Sequence, residues 1–125
     1  MEPQAQQFPL RRTRASVLKE RVQVRLAIDA AGPLIAEVLR ENAIEVPGAD
    51  WSHVWPHWLI ACDRDAPEGK DVIGCIQVMI SKPCGWLEFL FTKKSAPYKL
   101  RVIAFRKLLE QGAGTLKMAG CSYVL

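Results

Sequence analysis

Lys93, Lys94, Lys99, Arg101, Arg106 and Lys107 crowd one short stretch, just after an apolar run and at the start of a long helical period. A helix presents its positive end at its N-terminus, so cations gathered there add to that potential and suit an anionic ligand. The cluster belongs to residues 93–125, which carry a net +6. Residues 1–21 carry a further +3, from Arg11, Arg12, Arg14, Lys19 and Arg21 against Glu2 and Glu20; the whole chain is +4, so the middle holds −5. Two basic ends flank an acidic centre. Solvated surface accounts for such a distribution, and so does an anion site at the later cluster with a docking arm at the earlier one.

Other reactive types are sparse. Glu88 is a lone carboxylate in an apolar segment and the one general-base candidate. His53 and His57 lie among Trp51, Trp55 and Trp58 without the carboxylate or cysteine neighbours a metal site needs. The tryptophans are expected to anchor a loop on the core. Cys62, Cys75, Cys84 and Cys121 form no CxxC pair and predict buried free thiols rather than a zinc site. The residues by themselves imply no cofactor and no metal.

These groups are positioned by elements that the hydrophobic pattern marks out. Met1 to Ala15 is polar and without period, and is read as an arm. Val22, Val24, Leu26 and Ile28 alternate with Gln23 and Arg25, a half-buried strand. Asp29 offers a helix cap, Pro33 suits a first turn, and Leu34, Ile35, Val38 and Leu39 follow at helical spacing, predicting a helix over 30–42. A loop with Pro47-Gly48 follows. Residues 58–64, 72–81 and 86–93 predict three antiparallel strands, turning at Asp65–Lys70 and at Lys82–Gly85. Folding the first hairpin brings Cys62 near Cys75. The middle strand is almost wholly apolar, so helices must cover both faces of the sheet. Leu100, Ile103, Ala104, Leu108 and Leu116 predict a helix over 97–119, with Gly112 and Gly114 as a possible break and Gly120 as its terminating residue. Cys121 to Leu125 begins a last strand.

At 125 residues and 14.0 kDa, with a hydrophobic fraction of 50%, the chain is one folded domain. The expected division is a basic arm over 1–21 and a folded domain over 22–125. No apolar run approaches the roughly 20 residues of a membrane span, and the N-terminus lacks the apolar centre of a signal peptide. The expected location is the cytoplasm, or a virion, with no membrane partner.

Strand, helix, loop, three antiparallel strands, helix, strand: this order resembles the GNAT family of N-acetyltransferases through its fifth strand. Asp71-Val72-Ile73-Gly74-Cys75-Ile76 resembles that family's third strand, and Gly85-Trp86-Leu87-Glu88-Phe89-Leu90-Phe91 its fourth. Leu108-Leu109 followed by Ala119-Gly120-Cys121 resembles the end of its third helix. The resemblance spans residues 22–125 and implies an α/β fold: a mixed, mainly antiparallel sheet with helices on both faces. It implies acetyl-CoA as ligand, held where retained by Phe91, Thr92, Lys93, Lys99 and Arg101, with Glu88 in a strand where the family sometimes places its base.

The chain departs from the pattern in two ways. In the family, Arg/Gln-x-x-Gly-x-Gly/Ala opens the third helix, and its glycines let backbone N–H groups reach the CoA pyrophosphate. Here those glycine positions fall on Ile103 and Phe105, and residues 95–109 contain no glycine. The family also continues past the fifth strand, where this sequence ends. Such an apolar edge, Tyr123-Val124-Leu125, invites pairing with another chain.

Three functions are weighed. The first is a non-catalytic GNAT-like module acting as a structural or assembly component, as in a bacteriophage virion. Its contacts would be Phe8, Leu10, Arg11, Arg12 and Arg14 of the arm with Tyr123, Val124 and Leu125, and its partner a protein or a second copy. The second is an N-acetyltransferase with a remodelled acetyl-CoA site. The third is nucleic-acid binding through Lys93–Lys107, disfavoured by the acidic middle and by the lack of any recognised nucleic-acid motif.

Overall fold

The computed structural model describes residues 13–28, 31–44 and 58–124. Their elements run α1 (Arg14–Arg21), β1 (Val22–Leu26), α2 (Gly32–Glu41), β2 (Trp58–Asp63), β3 (Val72–Ser81), β4 (Cys84–Thr92), α3 (Tyr98–Met118) and β5 (Tyr123–Val124). The strands form one sheet in the order β1-β2-β3-β4-β5, antiparallel except that β5 runs parallel to β4. This is the mixed, mainly antiparallel sheet that the family resemblance implies.

Alternation along the strands makes two cores. Leu59, Ala61, Ile76 and Val78 meet Leu100, Ala104, Leu108 and Leu116 of α3 on one face. Trp58, Ile60, Cys62, Val72 and Cys75 meet Ile35, Val38 and Leu39 of α2 on the other. All six residues of β2 are buried, as a central strand covered on both sides requires. Cys62 and Cys75 share the α2-side core as free thiols. Burial pushes their pKa values up to about 11 and about 12, which suppresses the thiolate and makes them inert packing groups.

Several expectations are corrected. Residues 14–21 are a helix rather than the end of an arm: Thr13 Oγ1 accepts from the Ser16 N–H at 3.0 Å, capping it, and Leu18 packs onto the α3 core. β1 stops at Leu26, and its expected inward face is buried only at Val22, while Leu26 and Ile28 are more than half exposed because the α3-side core ends short of them. The α2 cap position is Ala31 rather than Asp29, which lies outside the described residues, and Pro33 stands in the first turn as expected. The second turn is only Lys82-Pro83, with Cys84 and Gly85 already in β4. Gly112 does not break α3. A Cβ there would stand 2.9 Å from Leu87 Cδ2, so glycine lets the helix lie close on β4, whereas Gly114 faces open space. Gly120 ends the helix at φ +89°, the left-handed conformation that suits glycine. Trp51 to His57, Phe8 to Arg12 and Leu125 lie outside the described residues.

Asp63 ties the α1–β1 junction to the sheet. Arg21 donates from Nε to Asp63 Oδ1 at 2.6 Å and from Nη2 to Oδ2 at 2.9 Å, a bidentate pair. The guanidinium holds the Asp63 carboxyl below its ordinary range. A carboxyl depressed in the folded state favours folding above its unfolded pKa of about 4, and that contribution is lost as pH falls through the folded value. Asp63→Asn is expected to cost about 1–2 kcal/mol at neutral pH and to flatten the acid limb of a stability–pH curve measured by urea unfolding. An unchanged acid limb would remove Asp63 from this role.

Candidate active site

The antiparallel ladder between β3 and β4 slips near the end of β4. Cys75 faces Phe91 and Gln77 faces Glu88, so two steps on β3 match three on β4. The extra residue is a bulge, and Phe89 within it sits at φ +53°. A bulky side chain in that region is strained by about 1–2 kcal/mol. Stacking of the Phe89 ring on Trp58, centroids 6.0 Å apart, holds it in place. Beside the bulge, β5 pairs only with Cys84 and Gly85, leaving the outer edge of Trp86–Thr92 unpaired by any described strand.

That open edge leads into the α3 N-terminus and forms a cleft of about 210 Å³ lined by Thr92, Tyr98, Arg101, Val102, Phe105 and Arg106. Arg101 Nε donates to Thr92 Oγ1 at 3.1 Å. Asn42, at the end of α2, donates from Nδ2 to the Thr92 carbonyl at 2.9 Å and to the Val38 carbonyl at 2.9 Å, fixing the end of β4 against α2. The first turn of α3 has no acidic residue and no side-chain cap. Its free N–H groups and two arginines make the cleft electropositive.

The loop between β4 and α3 is held from α2 by two carboxylates. Lys93 Nζ pairs with Glu37 Oε1 at 2.6 Å, and the Lys93 side chain is only 19% exposed. Glu41 accepts from the Ser95 N–H at 2.9 Å through Oε1 and from the Ser95 hydroxyl at 3.3 Å through Oε2. The loop N–H that could face an anionic ligand already faces an anion of the chain itself.

Of the residues expected to hold acetyl-CoA, Thr92 and Arg101 line the cleft together. Phe91 turns into the α2-side core, Lys93 is taken up by Glu37, and Lys99 lines a separate groove between α1 and α3. Leu87 packs on the α3 side, so Glu88 takes the opposite face of β4, exposed and across from Gln77. No hydrogen bond or ion pair reaches it among the described residues. Of the two positions standing where the family has glycine, Ile103 packs on the α3-side core and Phe105, 46% exposed, lines the cleft. Tyr98 and Val102 were not expected there, and only their helical spacing from Arg101 and Phe105 signals them; Arg106 belongs to the basic cluster read as an anion site. Among the described residues no cluster of three metal-ligating side chains occurs.

Comparison with solved structures gives the fold. N-acetylglutamate synthase from Neisseria gonorrhoeae, complexed with coenzyme A and L-arginine, superposes with a TM-score of 0.66 at 18% identity over 82% of this chain. Rv2747 of Mycobacterium tuberculosis, in complex with CoA, gives 0.69 at 15% identity over 82%. A GNAT-family acetyltransferase from Staphylococcus aureus gives 0.56 at 15% identity over 78%. The fold is that of the GNAT acetyltransferases. The chain spans 23%, 61% and 68% of those three structures respectively. No protein-family model matches the sequence, and a search of curated proteins finds no match.

Proposed function

We propose that the chain is a non-catalytic module of GNAT fold that acts by assembly, a role that fits a bacteriophage particle among other settings. One observation carries this reading. The loop that leads into the α3 N-terminus is anchored by Glu37 and Glu41, and the Ser95 N–H is bonded to the Glu41 carboxylate. A diphosphate brought to that loop meets the Glu41 carboxylate, which is repulsive at close range, and a Lys93 already neutralised by Glu37, in place of free donors. Phe105 fills part of a cleft of only about 210 Å³, below the range of about 300–1,000 Å³ usual for ligand sites. Assembly would then run through the edge at Tyr123–Val124 and the segment before α1.

Calorimetry with acetyl-CoA tests the reading. The expected result is no binding tighter than about 1 mM, near −4 kcal/mol. Glu41→Gln, which removes one charge without changing shape, is expected to strengthen inorganic pyrophosphate binding severalfold while leaving acetyl-CoA weak. A dissociation constant in the low micromolar range for the unaltered chain, roughly −8 kcal/mol, sinks the proposal. It would favour the second reading, an N-acetyltransferase with a remodelled site, for which Arg101 and Arg106 beside the open β4 edge are the supporting observation.

A further inference from the structure

We propose that the groove between α1 and α3 is a docking surface for an acidic amphipathic helix of a partner protein. The groove encloses about 660 Å³. Leu18 of α1 and Val102 and Ile103 of α3 make an apolar floor, and Tyr98, 76% exposed, stands at one end. Cations line both rims: Arg14 and Lys19 on α1, Lys99 and Arg106 on α3. Among the described residues no carboxylate is paired with any of these four. Among the described residues Glu110 is the single acidic one lining the groove. Lys107 is taken up internally, donating from Nζ to the Lys19 carbonyl and, at 2.6 Å, to the Val22 carbonyl, so it fixes the wall. Burial and the nearby Lys19 lower its pKa, which agrees with a cation already crowded by others.

An apolar floor between two unpaired basic rims complements a helix whose apolar stripe is bordered on both sides by Asp or Glu. The floor supplies the burial and the rims supply orientation. The chain's own residues 1–12 have the wrong sign, with Arg11 and Arg12 against Glu2. A second copy has no such helix to offer among the described residues: α2 is the one described helix with two carboxylates, and Glu37 and Glu41 are already bonded within the chain. A nucleic acid would use the cations and leave the apolar floor uncovered. This inference holds whether or not the cleft at the α3 N-terminus takes acyl-CoA.

The test is fluorescence anisotropy with a labelled synthetic peptide of Leu, Ala and Glu, its leucines at i, i+3, i+4 and i+7. Controls are a scrambled peptide of equal composition, a Glu→Gln peptide, and a single-stranded oligonucleotide. The expected result is micromolar binding that weakens at least about tenfold, roughly 1.4 kcal/mol, with either control peptide and in Lys19→Glu/Lys99→Glu. Both substituted residues lie outside the cleft, and melting followed by circular dichroism confirms that the variant folds. Equal binding of the scrambled peptide, tighter binding of the oligonucleotide, or indifference to Lys19→Glu/Lys99→Glu overturns the proposal. So does sedimentation showing a dimer of the unmodified chain that the same variant dissolves.

Discussion

Leu108→Ala is expected to lower the unfolding free energy by about 3–5 kcal/mol. Leu108 is fully buried in the α3-side core, and its Cδ1 reaches a point 3.0 Å from where a Cβ on Gly74 would lie. Glycine at that point of β3 lets the helix approach closely, and the leucine fills the resulting space. Truncation leaves a cavity under a close-packed contact, where neighbouring backbone has little room to relax. Against a total of about 5–15 kcal/mol for a domain, such a loss is large. Urea unfolding measures it, with Met118→Ala as reference, since Met118 is 91% exposed and its truncation is expected to change stability by less than about 0.5 kcal/mol. A cost for Leu108→Ala below about 1 kcal/mol would show that α3 is not seated as described.

The double variant Ile103→Gly/Phe105→Gly, which restores the glycines of the GNAT pattern, is expected to destabilise by about 3–4 kcal/mol. Each glycine in the helix interior costs about 1 kcal/mol, and loss of the partly buried Ile103 side chain adds about 1–2 kcal/mol. From sequence alone these substitutions would be expected to return part of the acetyl-CoA binding. With Ser95 bonded to Glu41, the expectation becomes no return in the double variant and a measurable return only when Glu41→Gln is added. Calorimetry on the double and triple variants, at a temperature where both remain folded, separates the two causes. Tight binding by the double variant alone would mean that the Glu41 contact yields readily and is no barrier.

The sequence displays those parts of the fold whose signals are local. The apolar run 72–81 and the helical spacing of Leu100, Ala104, Leu108 and Leu116 lead directly to β3 and α3. α1 was hidden because Arg14 to Arg21 has little apolar face of its own, and one residue, Leu18, docks it on a distant helix. Gly112 reads locally as a helix breaker, yet in the fold it is a position where Leu87 of β4 packs directly on the helix. The hold on the loop was illegible for a similar reason: Ser95 and Glu41 are 54 residues apart, and neither residue type announces the other. Lys93 looked like a free cation on composition alone; only the approach of α2 to the end of β4 shows it paired.

The order of strands in the sheet is also their order in the chain. Chain-closure entropy rises with the logarithm of loop length, so the β2–β3–β4 meander joins near neighbours at small cost, while β5 must return across the whole of α3. Yet among the described residues β5 adds two residue pairs to the ladder, Cys84 with Tyr123 and Gly85 with Val124. So short a strand gains little from its own bonds to offset the ordering of that long return. Its seat is therefore set by the helix end: Leu116 and Cys121 close over Gly85, where an added Cβ would stand 2.6 Å and 3.0 Å from them. β5 thus inherits its position from α3, so whatever shifts that helix on the sheet also shifts the only described strand that lies beyond β4.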